Sequence, residues 1–121
     1  VSGGGHFGGG LFINAFDMAR FGLLSLYKGN WNGKQIISED WINKSTTPTK
    51  ANVGYGFMNY FLNTNKAMYP DAPASSFTHI GNGTNAIYVD RENDLVVVAR
   101  WIEDKQINGF LKLLLSSLPK K

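Results

Sequence analysis

The chain has 121 residues, 43% hydrophobic and 17% charged, with a formal net charge of +3, which suits one globular domain with its own core and is too short for two ordinary ones. The basic residues Arg20, Lys34, Lys50, Lys66, Arg91 and Lys112 are scattered, so no basic stripe invites nucleic acid. No apolar run nears the ~20 residues of a membrane span, and a chain without cysteine has no disulfide or thiolate metal site.

The opening, Val1-Ser2-Gly3-Gly4-Gly5, lacks the charged and apolar regions of a signal peptide. Nor does the chain begin with methionine, so it reads as a piece of something longer. Residues 1–13 form a glycine-rich lead. Asn14 then offers a helix cap and Asp17 an acid in the first turn, and Ala15, Met18, Ala19, Gly22, Leu23 and Leu26 fall on one face. Gly29 is placed to end that helix. Asn32-Gly33 is the signal of a tight hairpin turn, and Ser38 caps a short helix closed by Thr47-Pro48.

Tyr55 to Leu62 is rich in aromatic and apolar residues and predicts a strand, with Gly54 and Gly56 marking close approach of another backbone or a ligand. Residues 63–76, with Pro70 and Pro73 and no period, read as a long surface loop. Three short strands follow, Phe77 to Ile80, Thr84 to Val89 and Leu95 to Trp101, joined antiparallel. Leu95-Val96-Val97-Val98-Ala99 does not alternate, so both its faces should be covered. Ile107, Phe110, Leu111, Leu114 and Leu118 supply one cover, a helix stopped near Pro119. The fold class is therefore α+β, an antiparallel sheet of three or more strands covered by a C-terminal helix, with an N-terminal helix and hairpin.

Nucleophile motifs fare poorly. Gly3, Gly5 and Gly8 match G-x-G-x-x-G, yet no strand precedes them and no helix opens on them, and His6 is a lone loop histidine. Ser25-Leu26-Tyr27-Lys28 has S-x-x-K spacing but lies in the last turn of its helix, where the dipole keeps lysine protonated. Ser117-Leu118-Pro119-Lys120 has a proline inside it. His79 is different. It shares a strand face with Phe77, just before the break Gly81-Asn82-Gly83, and a histidine of ordinary pKa ~6.5 there could serve a substrate anion or a neighbouring base. A structural histidine at a strand end is the alternative on these residues alone.

Gly8-Gly9-Gly10-Leu11-Phe12, Asp17-Met18-Ala19-Arg20-Phe21, Trp31 to Ser38, Tyr55-Gly56-Phe57, His79-Ile80-Gly81 and Tyr88-Val89-Asp90, in that order, resemble the C-terminal half of the serine beta-lactamase-like family. That family includes class C beta-lactamases, penicillin-binding proteins, D-aminopeptidases and family VIII esterases. The resemblance implies a partial beta-lactamase/transpeptidase-like fold and an acyl-enzyme mechanism on a small-molecule ester, amide or beta-lactam. It matches His79-Ile80-Gly81 to the family's third element, K-T-G or H-x-G, on a strand edging the cleft. His79, Gly81 and Asn82 are then the catalytic candidates, with the Asn82 amide as one oxyanion donor beside a hollow into which His79 looks. Gly83, Tyr55 and Asn85 are the substrate-binding candidates. Histidine in place of lysine tilts the reading towards an esterase or peptidase.

The family's S-x-x-K and Y-x-N elements lie upstream of the matched part. The resemblance therefore implies that residues 1–121 are a single C-terminal portion of a serine hydrolase, inactive alone, lacking its N-terminal portion and open to homodimerisation or strand exchange. It implies no cofactor and no metal, and leans towards a periplasmic or secreted protein. A non-catalytic module that presents Tyr55, Phe57, Tyr60 and Trp101 to a ligand or partner is the rival reading.

Overall fold

A computed structural model describes residues 13–119. Helix α1 (Ala15–Leu26) starts where the Asn14 side chain accepts from the Asp17 amide at 2.9 Å, so one orphan donor of the first turn is satisfied. It ends as Lys28 and Gly29 take positive φ. Strands β1 (Asn30–Trp31) and β2 (Lys34–Gln35) form the expected hairpin, with Asn32 and Gly33 both at positive φ as its turn requires. Helix α2 (Glu39–Ser45) is capped by Ser38 and buries Ile42 and Ser45.

Beyond α2 the structure departs from the expected strand over Tyr55 to Leu62. The chain reverses instead: Tyr55 bridges Phe61, the Gly56 amide donates to the Tyr60 carbonyl at 2.9 Å, and Asn59 turns the backbone at φ 66°. Only β3 (Phe61–Leu62) is strand. The reason lies at Gly56, where a Cβ would stand 1.9 Å from the Ser45 carbonyl oxygen; its bare backbone lets the chain press against the end of α2, and Phe57 donates there at 3.0 Å. The close approach expected at Gly56 is thus present. Gly54 has no comparable neighbour, its nearest contact being an ordinary 3.4 Å.

Residues 63–76 are more than a surface loop. Asn63 is fully buried, and its amide bonds the backbone of Met68, Tyr69 and Pro73, so the segment wraps around one side chain and delivers Tyr69 and Ala72 to the core. Strands β4 (Phe77–Gly81), β5 (Asn85–Asp90) and β6 (Leu95–Ala99) then form consecutive antiparallel pairs, and β3 joins β4 to give the order β3-β4-β5-β6. Helix α3 (Ile107–Ser117) closes the described chain.

Alternation along the strands divides the core into two layers. Phe77, Ile87 and Val89 meet Met18 and Leu26 of α1, with Val96 and Val98 beside them. On the other face Ala86 and Tyr88 meet Ile107 and Leu111 of α3 together with Tyr69 and Ala72 of the loop, with Leu95 and Val97 beside them. Both faces of β6 are covered, as its unbroken apolar run implies. The seam of α3 is rotated from the expected one: Ile107, Leu111 and Leu115 pack inward at four-residue spacing, while Phe110 remains 37% exposed.

Helix α1 lies against β5 and β6 through Gly22, where a Cβ would come within 2.5 Å of Val96 Cγ1 and 2.8 Å of Ile87 Cγ2. Both neighbours are β-branched and stiff. Gly22→Ala is therefore expected to lower stability by about 1–2 kcal/mol, the overpacking outweighing the helix-propensity gain of up to about 1 kcal/mol. A urea midpoint raised by the substitution would contradict this packing.

Candidate functional site

The end of β4 and the turn into β5 bring His79, Gly81, Asn82, Gly83 and Asn85 into one hairpin, with Gly81 opposite Asn85 as its last ladder pair. Asn82 lies beyond that pair and is exposed, as are Gly81 and Gly83. The tip is held from two sides. The Asn85 side chain donates to the Asn82 carbonyl at 2.6 Å and accepts from Arg100 Nε at 3.3 Å. Gly83, at φ 73°, has the Trp101 ring against it, 2.1 Å from where a Cβ would be. Only glycine fits there, because both the backbone angle and the indole exclude a side chain. Trp101 leaves β6 at φ 58°, so the expected strand to Trp101 stops at Ala99.

His79 sits differently from its expected position beside a hollow. It faces the α1 side of the sheet and is 4% exposed, ringed by Tyr60, Phe21 and Phe77 with centroids at 4.4, 5.0 and 5.8 Å. Strand alternation placed Phe77 and His79 on one face correctly, but that face is closed by aromatic rings. Nδ1 lies 3.0 Å from the Asn59 carbonyl, which can only accept, so Nδ1 carries the proton. Nε2 is buried without a partner among the described residues. Burial drives the pKa down to about 4, with the Asn59 bond opposing it. At neutral pH His79 is an uncharged group that orders the reversal at Asn59.

Tyr55 is committed to that same reversal. Its hydroxyl accepts from the Asn59 amide at 2.9 Å and its ring meets Phe61 edge-on at 5.0 Å. The structure therefore groups Gly81, Asn82, Gly83 and Asn85 at the hairpin tip, and joins His79 and Tyr55 through Asn59 behind it. Trp101 and Arg100, which pin the tip, carry no local signal in the sequence, since only the pairing of β5 with β6 brings them there. Beside this region Trp41, Ser45, Phe57, Met58 and Tyr60 line an apolar groove of about 500 Å3.

Ser25 of α1 and Lys28, two residues past the end of that helix, are not assembled for catalysis. Ser25 is 2% exposed, and Lys28 Nζ is held by Glu39 Oε1 at 2.7 Å. Ser117 donates to the Leu114 carbonyl at 2.7 Å, and Lys120 lies outside the described residues. Gly3, Gly5, His6, Gly8 and the motif ending at Phe12 also lie outside them. Among the described residues no helix is long and apolar enough to cross a membrane.

A four-stranded antiparallel sheet between helical layers, with a glycine-broken hairpin at the end of β4, makes this an α+β fold. The particular likeness is to a solved Bacillus anthracis protein assigned, by name only, as a 6-aminohexanoate-dimer hydrolase: TM-score 0.58, 22% identity, 88% of this chain covered. The chain spans 30% of that protein's length. At this identity the likeness is one of fold. No family model and no curated protein matches the sequence.

Proposed function

We propose that this chain is the sheet-bearing C-terminal part of a serine acyl hydrolase acting on an ester, amide or beta-lactam, and that it has no activity alone. The observation that carries this reading is the exposed, bare-backboned tip Gly81-Asn82-Gly83 at the end of β4, on a fold shared with a hydrolase over 88% of the chain. Gly81 lets an extended substrate lie against the strand, and the Asn82 amide, past the last ladder pair, is one oxyanion donor. Arg100 and Trp101 are positioning residues, fixing the tip through Asn85 and Gly83. His79, buried and neutral, supports the strand from behind and does not shuttle protons.

The isolated chain is expected to gain no mass from a serine-directed fluorophosphonate, and an adduct at Ser25 would sink the claim of inactivity. Within a longer polypeptide that carries an S-x-x-K serine, Asn82→Pro removes the amide hydrogen and should lower acylation about 100-fold, the ~3 kcal/mol of one oxyanion donor. Asn82→Ala keeps the N–H and should stay within a few-fold of the parent; equal rates in the two variants would refute the donor role.

A second reading, a non-catalytic binding module, has one observation in its favour. Phe57 and Tyr60 join Trp41 and Met58 in the apolar groove, with Met58 89% exposed. Tyr55 and Trp101, which that reading also placed on the binding surface, do not line it. A longer polypeptide that takes no acyl adduct would leave this second reading standing.

A further inference from the structure

Asparagine precedes glycine three times among the described residues, at Asn32-Gly33, Asn82-Gly83 and Asn108-Gly109. Glycine has no side chain to shield its nitrogen, so in such a pair that nitrogen can reach the asparagine side-chain amide and displace its ammonia. What holds the groups decides which pair can react. The Gly33 amide donates to Asn30 Oδ1 at 3.0 Å, which keeps its proton in place. Asn108 is tied at both ends of its side-chain amide, Nδ2 donating to Asp71 Oδ2 at 2.8 Å and Oδ1 accepting from the Asp71 amide at 3.2 Å. Asn82 differs. Neither its side chain nor the Gly83 amide makes a hydrogen bond to any described residue.

The bond that this peptide does make favours the reaction. Asn85 Nδ2 donates to the Asn82 carbonyl at 2.6 Å, and Arg100 Nε donates in turn to Asn85 Oδ1 at 3.3 Å. That carbonyl belongs to the same peptide unit as the Gly83 nitrogen. As the nitrogen loses its proton, negative charge spreads onto the carbonyl oxygen, where a chain of donors ending in a cation receives it. The arrangement at Asn32 does the reverse, because an acceptor on the Gly33 N–H stabilises the protonated form.

We propose that Asn82-Gly83 is a self-modifying site, at which Asn82 converts to aspartate and isoaspartate with the Asn85 bond promoting the step. The Gly83 nitrogen loses its proton and attacks Asn82 Cγ. The new N–C bond closes a cyclic imide as the bond from Cγ to Nδ2 breaks, and the side-chain nitrogen leaves as ammonia with the proton. Water then opens the ring, giving aspartate by attack at Cγ or isoaspartate by attack at the backbone carbonyl carbon. The balance is one water in and one ammonia out, with nothing oxidised or reduced. Either product puts a carboxylate beside the Asn82 amide, and isoaspartate also lengthens the backbone between Gly81 and Asn85, the last ladder pair. If the Asn82 amide is an oxyanion donor, that charge opposes the developing oxyanion and acylation falls as the protein ages. This consequence rests on the acyl-hydrolase reading; the modification does not.

The test ages the 121-residue chain in mildly alkaline buffer, folded and in guanidinium chloride, and maps each asparagine by peptide mass spectrometry. Unfolded, the three Asn-Gly pairs should convert within about threefold of one another, since only local sequence then distinguishes them. Folded, Asn82 should run about tenfold or more ahead of Asn32 and Asn108, the effect of one hydrogen bond that helps it and of those that restrain the others. Asn85→Ala should slow Asn82 about threefold in the fold and leave it unchanged in denaturant. Because that change also touches the hairpin, Arg100→Leu, which leaves Asn85 in place, should slow Asn82 in the same direction. Folded conversion at Asn32 or Asn108 as fast as at Asn82, or none at Asn82 while the unfolded chain converts, would overturn the site. Both variants converting at or above the parent's rate would overturn the promoting bond.

Discussion

Replacing Asn63 by leucine is expected to destabilise the protein by about 3–5 kcal/mol, because each buried backbone group left without its partner costs about 1–3 kcal/mol. Asn63 has no exposed surface. Its Nδ2 donates to the carbonyls of Tyr69 at 3.0 Å and Pro73 at 2.9 Å, and its Oδ1 accepts from the amides of Tyr69 at 2.8 Å and Met68 at 3.2 Å. Leucine fills a similar volume but answers none of these groups. The loss is not confined to the loop, since Tyr69 and Ala72 form part of the core between the sheet and α3. With total stabilities of about 5–15 kcal/mol, a change of this size takes much of the margin. Urea unfolding monitored by circular dichroism gives the total, and amide exchange at Met68 and Tyr69 gives the local component. A loss below about 1 kcal/mol would mean that the loop holds its shape by other contacts.

Acid is expected to unfold the protein partly through His79. An ordinary histidine titrates near 6.5, whereas burial holds this one at about 4. Between those values the unfolded chain binds a proton that the folded chain refuses, so stability rises with pH across the window. The contribution is fully present above pH 6.5 and is lost as pH falls to 4. Its size is about 3 kcal/mol, from 2.5 pH units at 1.36 kcal/mol each. The physical cause is visible at Nε2, the atom that must take the proton: it has no partner among the described residues and lies amid Phe21, Tyr60 and Phe77. In His79→Phe the fall in stability between pH 7 and pH 4 should shrink by that amount, whatever the variant's stability at pH 7. An imidazole resonance from His79 titrating near 6.5 would show the ring to be solvated and remove this effect.

The same burial bears on chemistry. A group with a pKa of about 4 is uncharged at neutral pH and cannot anchor a carboxylate as a lysine would. The exposed Arg100, which donates to Asn85 at 3.3 Å, is instead a charged group held at the hairpin tip.

Locally coded features were legible in the residues. Asn14 and Ser38 cap helices because a short polar side chain reaches an amide three residues on. Asn32-Gly33 turns because those residues accept positive φ, and β4, β5 and β6 follow from short apolar runs between polar connections. The tip Gly81-Asn82-Gly83 was likewise visible as a break in side chains.

What only the tertiary structure decided depends on groups far apart in the chain. The reversal at Tyr55 to Leu62 exists because Gly56 meets the Ser45 carbonyl, and a propensity reading of an eight-residue stretch rich in aromatic and apolar side chains has no access to that encounter. His79 was placed on the correct face by alternation, but whether that face opens on solvent or on rings was settled by Phe21 from α1 and Tyr60 from the reversal. The sequence by itself determined the capped helices, the first hairpin and the strands β4 to β6, since helix caps, turns and strand periods are interactions over a few residues. The packing decided which titratable groups those elements leave wet, since desolvation depends on every neighbour that closes over a site.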